Sequence, residues 1–342
     1  IYSLYLIFHL IRMITFKEKI FILFNDIAQQ LKYRLLVNKK PSIIWGRSPY
    51  LEFGPGIRTR RLKNNIEKKT INKTCIYMQS HWPWYDIIFY TFWAKILKIK
   101  IVFNQNGIYT KNYHKNYRFH NFILIFGILN SNYIIFQSWF CYNSIINITP
   151  HFIKGLINSK QYRRILNPTI NYIHKNTGKN KTHKILICNS FRSDITYYSK
   201  YICELSLKLK NERYIKEINI VGNIKANINE KEIKKLLNSK NIKLHNQVDN
   251  KIILEIIKNN TIVIHLNDGD ACPNFISEVI SFGIPCILNS NGGGKEISSK
   301  ACICPKNKLN LNGHLMPNFY DVKKSLNELI MNYSEYRNYA IK

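Results

Sequence analysis

Acidic residues are scarce in this chain. Its 342 residues hold 20 Asp and Glu against 51 Lys and Arg, a formal net charge of +31. Residues 87–193 contain no carboxylate at all and 15 Lys or Arg. Such a field argues against a cationic partner and attracts an anionic one, whether nucleic acid, acidic glycan or membrane head groups. Heavy use of Asn, Ile and Lys suggests an AT-rich genome, so codon bias on a solvated surface is the competing explanation. Long hydrophobic runs are missing too. The opening IYSLYLIFHLIRM is apolar but shorter than the roughly 20 residues that span a bilayer. Lys17, Glu18 and Lys19 interrupt it, and no small-residue cleavage site follows, which argues against an ordinary secretory signal. Because the chain opens at Ile1, this segment is read either as the remnant of a longer anchor or as an interfacial helix. The eight cysteines form no CxxC pair and no Cys/His group with zinc spacing, which argues against structural zinc. Cys188 and Cys286 sit in apolar runs that read as buried strands, as expected of reduced thiols in a cytosolic compartment. No repeat at solenoid periods is evident.

Apolar residues make up 46% of the chain, enough for a large core divided between two domains. A basic, amphipathic lead-in occupies residues 1–40. From there short apolar runs alternate with amphipathic stretches. Strands are expected at residues 42–45, 74–78, 101–103 and 133–137, with helices at 57–62 and 87–97. After the polar linker 171–182 a second series begins, with strands at 184–189, 218–222, 242–244 and 262–266. Helices at 198–209, 230–238 and 251–258 separate them. This alternation predicts parallel sheets with right-handed crossovers. Two doubly wound α/β domains are expected, residues 41–170 and 183–318, with a ligand between them at the carboxyl ends of the strands. A final helix, 321–340, is expected to be capped by Asp321.

The densest chemistry lies in DGDACPNFISEVISFGIPCILNSNGGGKEI, residues 268–297. Pro273 suits the first turn of a helix, and Gly283 can end it in the left-handed conformation. Amides near Asn274, Phe275 and Ile276 would then point outward and suit a diphosphate. Glu278, one turn further in, can accept both hydroxyls of a ribose. Asp270, just ahead of the helix, can reach sugar hydroxyls. Two plainer roles remain open: Asp270 as a helix cap and Glu278 as a solvated face residue. The DGD triplet also matches a short metal-binding pattern, but no other ligand group for Mg²⁺ stands nearby.

This stretch resembles the family 4 glycosyltransferases, retaining enzymes of the GT-B fold. They carry an acid, seven residues, a glutamate, a "GxPV" helix end and a "GGxxE" turn. The counterparts here are Asp270, Glu278, Gly283-Ile284-Pro285-Cys286 and Gly292 to Glu296. The CPN variant with Asp as first acid is similar to a bacterial-type branch. Upstream, NSNYIIFQSWFCYNS and RRILNPTI resemble family segments as well, so the likeness runs from Ser42 to Ile297.

The resemblance implies that Glu278 holds the donor ribose, Asp270 the transferred sugar, and the amides after Pro273 the diphosphate. It implies phosphate contacts from Arg192 at a strand end. The usual lysine is absent, and Lys200 is the nearest substitute. Gly54 and Gly56 of a Gly-Pro-Gly loop would face the diphosphate, with Arg58, ahead of Arg60 and Arg61, as a phosphate or acceptor contact or as part of a solvated basic face. Asn106 stands where many members have a histidine near the sugar, and His81 is a candidate to substitute for it.

The expected function is thus transfer of a sugar, with retention, from a nucleoside-diphosphate donor to a hydroxyl of a glycan or lipid-linked acceptor. Cell-surface polysaccharide or lipopolysaccharide synthesis is the expected setting. No metal or other cofactor is expected. The expected location is cytoplasmic, with peripheral contact to an anionic membrane. The alternative is a catalytically degenerate relative that binds nucleic acid or acidic polymer through basic residues interleaved with Tyr109, Tyr113, Tyr117 and Phe119. Nucleic acid is the less expected partner, because no nucleic-acid-binding motif is present.

Overall fold

Alternating apolar runs become two sets of parallel strands in the computed structural model. It describes residues 43–45, 54–66, 74–111, 115–166, 182–188, 196–222, 230–245, 249–309 and 313–341. The lead-in (1–40), the linker (171–182, save Thr182) and Arg192 lie outside these residues. The chain divides into two compact units, residues 1–43 with 70–74, and residues 44–69 with 75–342. Both sheets described below belong to the second unit, save Ile43 at the end of one strand.

The first sheet has the order β1 (Ile43–Ile44), β2 (Cys75–Gln79), β3 (Lys100–Gln105), β4 (Tyr133–Phe136) and β5 (Gln161–Arg164). Helices α1 (Gly54–Ile66), α2 (Trp84–Ile96), α3 (Tyr117–Asn130), α4 (Trp139–Ile148) and α5 (His151–Asn158) connect these strands. Because the described strands succeed one another in a single direction, right-handed crossovers put their helices on one face. Accordingly α2 packs on α3, and α3 on α5. Met78, Phe103 and Phe136 from the strands meet Ile87, Leu124, Ile128, Ile145 and Ile157 from the helices, all buried.

The second sheet has the order β11-β10-β9-β6-β7-β8. Its strands are β6 (His183–Cys188), β7 (Ile215–Val221), β8 (Ile242–His245), β9 (Ile262–His265), β10 (Cys286–Leu288) and β11 (Cys302–Ile303). The winding moves outward from β6 to β8, then returns to β9 on the other side. This doubly wound order creates a switch point between β6 and β9, where such sheets bind ligands. Both faces are covered: along β6, Ile185 and Ile187 enter one core and Leu186 and Cys188 the other, the period-2 alternation of a strand. The helices here are α6 (Thr196–Leu209), α7 (Glu230–Leu237), α8 (Asn250–Lys258), α9 (Asn274–Ser281) and α10 (Gly294–Ser298). A hairpin of β12 (Asn307–Leu309) and β13 (Leu315–Pro317) follows.

Two local expectations need correction. Helix α1 begins at Gly54, so Gly54-Pro55-Gly56 form its first turn and not a loop before it. A proline costs nothing there, since first-turn amides have no helical partner. The C-terminal helix is two helices, α11 (Phe319–Met331) and α12 (Tyr333–Ile341), broken at Asn332. Its cap is Asn318, whose side chain accepts from the Asp321 amide, three residues before the expected position.

None of the eight cysteines is in a disulfide, and Cys188 and Cys286 are buried. Cys302, on the edge strand β11, differs. A hydrogen bond from Cys304 holds its pKa below the ordinary thiol value against the desolvation of burial, with further help from Ser298 and Lys295. Burial instead drives the Cys188 and Cys286 thiols upward. Since the thiolate is the nucleophile, iodoacetamide at neutral pH is expected to label Cys302 before either buried thiol. Peptide mass mapping over time checks this. Cys304→Ala should slow the labelling of Cys302, because the hydrogen bond that stabilises the thiolate is gone.

Candidate active site

The carboxyl ends of β2, β3 and β4 carry an unusual density of amides: Gln79, Asn104, Gln105, Asn106 and Gln137, with Ser80, His81 and Ser138. All lie at or just past strand ends, and most are buried. Inside a protein such groups need hydrogen-bond partners; several here bond one another, while Gln79 Oε1 and Gln105 Oε1 find no partner among the described residues. Gln79 Nε2 donates to Thr59 Oγ1 of α1 at 2.6 Å. Gln137 Nε2 donates to Asn104 Oδ1 at 3.0 Å and also to Asn106 Oδ1. The Asn106 backbone amide donates to Ser80 Oγ at 2.9 Å, and its side-chain amide lies 3.2 Å from His81 Nδ1. The two expected residues Asn106 and His81 are therefore neighbours. Their link through Gln137 was not anticipated.

Opposite these strand ends stands the 268–297 stretch. Helix α9 starts after Pro273, with no side-chain cap, so Asp270 does not cap it. Asp270 is one-third exposed and pairs with His265 Nε2 at 3.2 Å. Nδ1 of that buried histidine has no hydrogen-bond partner among the described residues. Gly283 has φ +68°, the left-handed helix end expected of it. The expected set of free amides is smaller, however. The Ile276 amide donates to the Pro273 carbonyl at 3.1 Å, a first-turn bond that withdraws it from the group of Asn274, Phe275 and Ile276.

Glu278 is not a solvated face residue. Its side chain is 5% exposed, and its Oε1 accepts from Arg61 Nη2 at 2.7 Å and from Asn250 Nδ2 at 3.2 Å. Arg61 lies on α1, 217 residues away in sequence. The side chain of Arg58, the arginine favoured from sequence, lies outside the described residues, as do the side-chain surroundings of Gly54 and Gly56. Lys200 is exposed on α6.

The two sets of strand ends meet closely. Ser138 Oγ donates to the Ala271 carbonyl at 2.6 Å. A Cβ on Gly293 would lie 1.9 Å from that same oxygen, and one on Gly107 would lie 2.9 Å from Ala271 Cβ. Only glycine permits such approaches. Glu296 is the last residue of the GGxxE turn. Its two oxygens accept from the backbone amides of Trp139 and Phe140 at 2.7 and 2.8 Å. A carboxylate there satisfies first-turn donors of α4 and suits the positive end of the helix dipole. Arg164 Nη1 flanks it at 3.4 Å.

Asp268 is tied to structure. Its carboxylate accepts from Asn291 Nδ2 at 2.7 Å and the Leu315 amide at 3.1 Å, with His314 Nδ1 at 3.3 Å. It thus fastens the β12–β13 hairpin beside the Asp270 loop. Among the described residues no group of three or more His, Cys, Asp or Glu is arranged to hold a metal ion.

No protein-family model and no curated protein matches the chain. Solved structures do. HepE from Anabaena, in complex with UDP, superposes with a TM-score of 0.58 at 11% identity, over 83% of this chain and 75% of its own. A sucrose-phosphate synthase from Thermosynechococcus elongatus gives 0.55 at 9%, over 84% and 71%. A UDP-forming trehalose-phosphate synthase from Burkholderia xenovorans gives 0.51 at 10%, over 84% and 75%. At these identities the likeness establishes the fold, and it is the GT-B fold expected from the sequence.

Proposed function

We propose that the protein is a retaining glycosyltransferase of the family 4 type. It takes a sugar from a nucleoside-diphosphate donor, in the first instance a UDP-sugar, and passes it to a hydroxyl of a glycan or lipid-linked acceptor. One observation carries the proposal. A buried carboxylate, Glu278, and a partly exposed one, Asp270, flank the start of a helix at a sheet switch point, and facing strand ends close over them. In this reading Glu278 takes the ribose hydroxyls and Asp270 a sugar hydroxyl, with His265 orienting Asp270. The amides of Asn274 and Phe275 meet the diphosphate. Asn106, held by Ser80, His81 and Gln137, donates a hydrogen bond to the sugar. The C1–phosphate bond breaks as the acceptor oxygen bonds to C1 on the same face, and the departing phosphate oxygen receives the acceptor's proton. Such a step calls for preorganised charge at the leaving group; Arg192, the residue the family resemblance implies for it, lies outside the described residues. That UDP accompanies HepE, and that UDP-forming synthesis is ascribed to a trehalose-phosphate synthase of like fold, supports a uridine donor.

A donor-silent binding protein is the competing reading, favoured by the seat of Arg61 on the carboxylate that a ribose would need. Thermal shift with UDP-, GDP-, ADP- and CMP-sugars decides between them, since a bound ligand raises the melting temperature by mass action. Stabilisation by one class is expected. Stabilisation by none would end the proposal. With a turning-over donor, Asp270→Asn should lower kcat on the order of a hundredfold while leaving nucleotide affinity nearly unchanged, and NMR of the first-formed anomer reports retention.

A further inference from the structure

Three helices that serve the first sheet leave apolar side chains in solvent. On α2, Ile88, Phe92 and Ile96 recur every fourth residue and form one exposed stripe; Phe92 is 62% exposed. On α3, Phe122 is 60% exposed, and on α5, Phe152 is 77% and Leu156 55% exposed. Because α2 packs on α3 and α3 on α5, these side chains share one side of the molecule. Isolated exposed apolar residues need no explanation, but a group of six, three of them phenylalanines, does.

The surrounding charge is of one sign. Lys95 and Lys98 flank Ile96, Arg118 stands one turn before Phe122, and Lys154 lies between Phe152 and Leu156; the first three are exposed. The only acid on these three helices is Asp86, which is buried. Three kinds of surface could cover such a face. A second copy of the chain would set like-charged rims against each other, which association disfavours. A nucleic acid would find cations, but Ile88, Ile96 and Leu156 have no ring on which a base can stack. An anionic bilayer fits both parts: acyl chains accept the aromatic and branched side chains, and head groups meet the cations.

We propose that this α2–α3–α5 face docks peripherally on an anionic lipid surface. Among the described residues no helix is long and apolar enough to cross a membrane, so the contact is one of insertion at the interface. The inference does not rest on the transfer reaction. If that reaction uses a lipid-linked acceptor, docking would bring the acceptor to the protein.

Co-sedimentation of the full chain with phosphatidylcholine vesicles, with and without phosphatidylglycerol, tests it. Binding is expected only with phosphatidylglycerol and is expected to weaken in high salt. Phe92→Ser and Phe152→Ser should each weaken it on the order of tenfold. Lys95→Gln and Lys98→Gln should each weaken it about fivefold. Nucleotide-sugar binding and melting temperature should be unchanged in all four, which separates failure here from failure of the transferase reading. Phe92→Trp should show blue-shifted indole emission on vesicles, quenched by lipids brominated in the acyl chains. The idea is overturned if wild type ignores anionic vesicles, if the serine variants bind them as well as wild type, or if the emission of the Phe92→Trp variant does not respond. It is equally overturned if ultracentrifugation shows these substitutions dissolving a dimer, or if they abolish oligonucleotide binding instead.

Discussion

Gly293→Ala is expected to destabilise the protein by about 3 kcal/mol or more, the upper range for overpacking a closed contact. Gly293 has φ −85°, a value any residue adopts, so the cost is steric and not conformational. The added methyl would lie 1.9 Å from the Ala271 carbonyl oxygen and 2.8 Å from Ser138 Oγ. Neither can yield cheaply. The carbonyl is backbone and already accepts from Ser138, and the Gly293 amide is fixed to the Asp270 carbonyl at 2.8 Å. Relief requires the 292–294 turn to withdraw. That withdrawal would also pull Glu296 from the amides of Trp139 and Phe140, so a single methyl loosens two contacts between the strand ends of the two sheets. Gly155→Ala is the control. A Cβ at Gly155 would meet nothing within 4 Å, the residue sits inside helix α5, and alanine there should stabilise by about 0.5–1 kcal/mol. Urea unfolding of both variants checks the contrast, and equal midpoints would refute the steric argument.

The same residues show what the sequence could and could not reveal. Asp270, Pro273, Glu278 and Gly283 are legible because a helix start, a helix stop and their spacing are local properties. Strands β6 and β9 are legible because the unbroken apolar runs 185–188 and 262–264 mark a sheet covered on both faces. Helix α3 leaves no comparable trace. YRFHNFILIFGILN is apolar around most of its circumference and carries a glycine, so no 3.6-residue period stands out. Gly127 is explained only in three dimensions: a side chain there would strike the Phe103 ring at 2.5 Å. The tertiary partners are equally invisible. Arg61–Glu278, Glu296–Trp139 and Ser138–Ala271 join residues more than a hundred positions apart, and nothing in residue type singles out Arg61 from Arg58 or Arg60. The orientation of α1 makes that choice. Composition did signal the basic, acid-poor half, but only the helix packing shows that its apolar side chains share a face with the cations.

The largest functional effect is expected at Glu278. Glu278→Ala should abolish measurable nucleotide-sugar binding, a loss on the order of a hundredfold or more, since a charged group accepting two ribose hydroxyls contributes roughly 1.5–3 kcal/mol for each bond. The unliganded carboxylate is not idle, however. It accepts from Arg61 and Asn250, so under the proposed function a ribose must displace Arg61 or share the carboxylate with it. The two ends of this pair differ in what their loss leaves behind. Arg61 is already 17% exposed in the pair and without Glu278 can carry its long side chain to water, so Glu278→Ala should cost only about 1–2 kcal/mol of stability. Without Arg61, the carboxylate stays buried with Asn250 alone, so Arg61→Ala should cost about 3 kcal/mol or more. Calorimetric titration and urea unfolding on the two variants separate these outcomes. Glu278→Ala should lose the ligand and keep most of its stability, and Arg61→Ala should lose stability first. If Glu278→Ala instead binds the donor like wild type, the pair serves only to hold α1 against α9, and the ribose site must be sought elsewhere.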